Sequence, residues 1–100
     1  MAWADVTSTP HTRGPRGTAW FVEEAEIGHI HGNGFVDIAL PQQQVDEIVT
    51  AGRARPHHMF PELGITVDLN SQEDVERAVE LLRLSYDLIR QKQQPDSVER

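Results

Sequence analysis

The chain has 100 residues, 38% apolar and 25% charged, with a net charge of −7 and no cysteine. That composition fits one modest globular domain and excludes disulfides, zinc–thiolate sites and thiol catalysis. It also disfavours nucleic acid, whose phosphates an acidic surface repels. No apolar run approaches the roughly twenty residues of a membrane span, and Met1 to Arg16 lacks the apolar stretch of a secretory signal, so a cytoplasmic location is expected.

Residues 1–17 read as a flexible arm, because Pro10, Gly14, Pro15 and Gly17 break any periodicity. Trp3 is the exception: it is expected to dock on the body, the alternative being a contact with a partner. Thr18 to Val22, β-branched and aromatic, predicts a strand, and Glu23-Glu24 a polar corner. Ala25 to His31 predicts a second strand. Gly32-Asn33-Gly34 then signals a hairpin turn, since both residue types tolerate positive φ. Phe35 to Leu40 is the returning strand, with Val36, Ile38 and Leu40 on one face and Phe35, Asp37 and Ala39 on the other.

Pro41 suits the first turn of a helix over Gln42 to Ala51, where Val45, Ile48 and Val49 share a stripe and Gly52 provides the stop. Past a GRARPHHM loop and Pro61, Gly64 to Leu69 alternates, predicting a fourth strand with Ile65, Val67 and Leu69 inward and Thr66 and Asp68 outward. Ser71 and Asp74 form a capping box for the last helix. Val75, Ala78, Val79, Leu82, Tyr86 and Ile89 make one apolar stripe on it, and Leu81, Leu84 and Leu88 a second. Two arrangements would cover so wide a surface: a clasp by the sheet and the shorter helix, or a homodimer through the Val75–Ile89 helix. Residues 92–100 read as a polar tail that frays. The expected fold is therefore a single α+β domain over residues 18–91. It is an antiparallel four-stranded sheet with two helices on one face, in the order β-β-β-α-β-α.

Four of the five histidines fall in two pairs, His29-Ile30-His31 and His57-His58. The period of two puts His29 and His31 on one face of a strand, with Cβ atoms roughly 6–7 Å apart, within reach of one ion. Asp37, across the hairpin, can face the same side. His29, His31, Asp37 and His57 thus form a candidate set of ligands for a divalent metal. A strand histidine that merely bonds a neighbouring carboxylate is the plainer alternative. A histidine near Asp37 or Glu26 would also titrate near neutral pH, where proton transfer is useful. No nucleophile motif, P-loop or dinucleotide fingerprint accompanies it, so no catalytic residue is assigned. Arg53, Arg55, His57 and His58 lie in a stretch without an acid, which offers an anion site or simply a basic loop after a helix C-terminus.

EIGHIHGNG, ALP, AGRARPHH and SQEDVERAVELLRLSYD, spread from Glu26 to about Leu88, together resemble the luciferase domain family, a small bacterial and fungal family. The resemblance sets His29, His31, His57 and His58 on the family's typical histidine positions, and Gly52, Pro56, Arg83 and Tyr86 on other recurrent ones. It carries over no substrate, no flavin site and no reaction. Two departures are Ile65, where the family often has an aromatic, and the Pro- and Gly-rich arm in place of a helical lead-in. Three functions follow as expectations. First comes a module binding a small anionic ligand or partner at His29, His31, Arg53, Arg55, His57 and His58. A structural or regulatory subunit dimerising through the last helix is next, and a metal-dependent enzyme using the histidines is third.

Overall fold

The structure, a computed structural model, describes residues 3–11, 17–32 and 34–93. Asn33 of the expected turn, residues 12–16 of the expected arm and residues 94–100 of the expected tail lie outside the described residues. The strands are β1 (Val6–His11), β2 (Gly17–Val22), β3 (Ala25–His31), β4 (Phe35–Ala39), β5 (Arg55–Pro56) and β6 (Gly64–Asp68); the helices are α1 (Gln42–Thr50) and α2 (Gln72–Gln93). All strand pairs are antiparallel, in the order β1-β2-β3-β4-β6-β5.

The α+β class, the antiparallel sheet and the two helices agree with the sequence reading. The sheet has six strands rather than four, however, so the element order is β-β-β-β-α-β-β-α. Both extra strands are edges. In β1, Pro10 interrupts the apolar pattern but is tolerated at an edge, where its missing N–H breaks no central ladder. Strand β5 is two residues long and contains Pro56, too little for any periodicity. Trp3 docks as expected: its ring lies 5.3 Å from that of Tyr86, whose hydroxyl donates to the Ala4 carbonyl at 3.0 Å, and the Arg83 guanidinium lies over both rings.

One face of the sheet and both helices share a single core that includes Val22, Ile27, Ile38, Ile65, Ile48 and Leu81. Helix α1 ends in a Schellman motif, Arg53 N–H donating to Ile48 O and Gly52 N–H to Val49 O, with Gly52 at φ 74°. Helix α2 begins with Ser71 Oγ accepting from the Asp74 N–H at 3.2 Å, while Asp74 Oδ2 accepts from the Asn70 N–H. Its buried residues are Ala78, Leu81, Leu82, Ser85 and Tyr86. Val75 and Val79 of the expected stripe are instead 40% and 48% exposed, which places them at the edge of the buried surface.

Strand β3 carries the feature that positions the site. Trp20 pairs with Gly28 and Phe21 with Glu26, so Ile27 is the extra residue of a β-bulge. Ile27 is fully buried in the core, and a Cβ on Gly28 would meet Leu82 Cδ2 at 2.9 Å, so these two neighbours face the helices together. The alternation slips by one step there. Glu26 and His29, three apart and so on opposite faces of a regular strand, therefore come to lie on the same side.

Candidate functional site

The site forms on the sheet face opposite the helices. Register sets His29 against Asp37, Asp37 against Thr66 and Thr66 against Arg55, a row across four strands. In the next row His31 stands against Phe35. The His57 N–H donates to the Gly64 carbonyl at 3.1 Å, and this ties the loop after β5 back over the row. The two histidine pairs therefore meet in space, around Asp37.

Asp37 is 2% exposed and is the hub. Its Oδ2 lies 3.2 Å from His29 Nε2, 3.0 Å from His31 Nε2 and 3.5 Å from His57 Nε2. Its Oδ1 accepts from Thr66 Oγ1 at 2.5 Å, with His58 Nδ1 3.8 Å away. Thr66, expected outward, does lie on the face opposite the helices, yet it is fully buried there. The sheet has no bare face at that point, because the imidazoles roof it. Burial pushes the Asp37 carboxyl up, but the hydrogen bonds from His29, Thr66 and His31 outweigh this and hold it well below the usual carboxylate range.

His29 and His57 differ in protonation, and the four rings differ in packing. His29 bonds Asp37 through Nε2 and Glu26 through Nδ1, and these two carboxylates, against some desolvation, raise it from 6.5 to about 9, so it is an imidazolium at neutral pH. His57 is pushed down by burial, an effect that outweighs the attraction of Asp37. Its Nδ1 accepts from the Met59 and Phe60 N–H groups, both at 3.1 Å, so the proton of this neutral ring sits on Nε2, facing Asp37. His31 stacks on Phe35 with centroids 4.3 Å apart, and His58 stacks on His57 at 4.9 Å.

Above this floor is a pocket of about 360 Å³, lined by all four histidines, Glu26 and Asp37 and rimmed by Ala39, Met59, Phe60 and Leu63. Met59, Phe60 and Leu63 are 65%, 50% and 59% exposed. Arg53 and Arg55, expected beside the histidines, point to acids instead: Arg53 to Glu80 at 2.7 Å, and Arg55 to both Asp68 oxygens at 2.8 and 3.0 Å. Neither lines the pocket. Of the four expected metal ligands, His29, Asp37 and His57 bring their ligand atoms within 4.8 Å of one another, a trio that leaves out His31. Thr66, Met59, Phe60 and Leu63 were not singled out from the sequence. The available signal for the last three was apolar residues clustered in a loop that ought to be polar.

Fold and site define a small α+β domain with a histidine–aspartate pocket on its open sheet face. The chain belongs to the Luciferase domain family, whose model matches residues 24–85. That span begins just before the bulge and ends within α2, and so contains every residue of the pocket floor. No curated protein and no solved structure matches the chain.

Proposed function

We propose that the domain is a binding module for a small ligand whose polar end meets the imidazole cluster and whose apolar body lies against Ala39, Met59, Phe60 and Leu63. The carrying observation is the convergence of four histidines on one buried carboxylate at the floor of an apolar-rimmed pocket. Few polar groups within an otherwise apolar concavity are what ligand sites generally offer. Because Arg53 and Arg55 are engaged by Glu80 and Asp68, attraction for an acidic head rests on the imidazoles. A thermal-shift screen at neutral pH therefore compares carboxylated, phosphorylated and neutral hydroxylated small molecules. At a hundredfold excess over Kd a true ligand adds ~2.7 kcal/mol of stability. Phe60→Ala is expected to reduce that gain. If no class moves the melting temperature, the reading fails.

A second reading is a metal-dependent site on the trio His29, Asp37 and His57, favoured by its close spacing and by Glu26 on the outer nitrogen of His29, where metal-bound imidazoles usually have a carboxylate. His57 weighs against it. A neutral imidazole bound through Nε2 keeps its proton on Nδ1, and here Nδ1 already faces two N–H groups. Elemental analysis of protein never exposed to nickel resin decides: stoichiometric metal supports this reading, and its absence ends it.

A further inference from the structure

A second cavity of about 440 Å³ lies next to the first, between the ends of β3 and β4 and the last turns of α2. Glu26, Ala39 and Leu63 line both. The apolar part of the other walls includes Leu40, Leu88 and Ile89. The cavity's polar groups besides the shared Glu26 are Ser85, Lys92 and Gln93, all on α2. Ser85 is already committed, donating to the Ile27 carbonyl at 3.2 Å. Gln93 donates through Nε2 to the Val22 carbonyl, while its buried Oε1 has no partner among the described residues.

The chemistry thus changes along one path: ionised and hydrogen-bonding at the histidines, apolar past Ala39 and Leu63, and apolar again beside Leu88 and Ile89, with Lys92 and Gln93 at the last turn of α2. Either cavity alone would hold a small molecule, and the two meet at Glu26, Ala39 and Leu63, which line both. We infer that the ligand is an amphiphile with a hydrogen-bonding head in the histidine chamber and an unbranched hydrocarbon chain running over Leu63 into the cleft beside Leu88 and Ile89. This rests on the pocket being a ligand site, and it adds the class of ligand.

The test is a chain-length series. Butanoate, hexanoate, octanoate, decanoate and dodecanoate, each with the matching alkanol, are titrated calorimetrically into the full chain. Each methylene that enters an apolar chamber tightens binding about fourfold. Affinity is therefore expected to climb with length and then level off once the cleft is full. Leu88→Trp fills the second chamber and should bring the plateau to shorter chains, leaving the shortest ligands unaffected. Ile89→Val, which widens the same chamber by one methylene and keeps the fold, should not move the plateau to shorter chains. Binding that is measurable but independent of length, or a plateau that Leu88→Trp does not move, overturns the two-chamber inference and leaves the binding pocket standing. No binding by any member, combined with no response in the small-molecule screen, overturns both.

Discussion

Raising the pH through the range above neutrality is expected to remove most of the stability that His29 contributes. In the folded protein its pKa is raised from 6.5 to about 9 by Asp37 and then Glu26. A group with a raised folded pKa stabilises fully below its unfolded value and loses that contribution as pH climbs through the folded one. Between about pH 7 and about pH 9.5 the linkage integral for such a group is ~2.4 kcal/mol. Its side chain is only 18% exposed, so solvent screening trims this modestly, to about 2 kcal/mol. Neither shifted partner, Asp37 nor His57, adds to this window. Asp37 is ionised in both states there, and His57, pushed below its ordinary 6.5, is deprotonated in both. No cysteine titrates in this chain. Urea unfolding followed by tryptophan fluorescence at several pH values measures the slope directly. Asp37→Asn removes the larger of the two carboxylate partners; it should cost about 3 kcal/mol near neutral pH, as loss of one partner of a buried pair does, and flatten the decline. A wild-type stability that stays level to pH 9.5, or an equal slope in Asp37→Asn, would refute the assignment of His29 as an imidazolium held by Asp37.

Three further outcomes follow from the same geometry. Thr66→Val keeps the shape but removes the donor to Asp37 Oδ1, and should cost about 2 kcal/mol in urea unfolding, within the range for a hydrogen bond to a charged group. Gly28→Ala places a Cβ 2.5 Å from the Asp37 carbonyl oxygen, a backbone atom that cannot swing away, so it should destabilise by about 2–3 kcal/mol and shift the amide resonances of β4. His57→Ala releases the Met59 and Phe60 N–H groups, and hydrogen exchange at those two amides should speed up at least tenfold while exchange in α2 is unchanged.

The central strands, both helices and their caps were legible because each is encoded locally: alternation in Phe35 to Leu40 and Gly64 to Leu69, Gly52 for the stop, Ser71 and Asp74 for the start. The edge strands were not, since β1 holds a proline and β5 is too short for any pattern. Placing His29 opposite Asp37 needed only the hairpin register, which the turn sequence supplies. Thr66 beside Asp37 needed the pairing of β4 with β6, strands separated by a helix and a long loop, and no local signal carries that. The same non-local step decides that His57 and His58 close over the site while Arg53 and Arg55 turn to Glu80 and Asp68. Charge alone suggested an arginine-lined anion site; the partners that occupy those arginines come from distant parts of the chain.

The extra residue at Ile27 sets a phase between two patterns written on one strand. Ahead of it, Glu26 is in step with the pocket; behind it, His29 and His31 are in step with the pocket again, and Ile27 and Gly28 go to the core between them. Removing Ile27 would leave Glu26 and His29 two apart, on one face of a regular strand, with Gly28 alone between them facing the helices. The pocket would keep its carboxylate, while the core would lose a fully buried isoleucine and be left with only the bare backbone of Gly28 at that point. The bulge therefore serves the core: it fits a large side chain between two pocket residues without breaking their common face, and a one-residue deletion there would hollow the core beneath it.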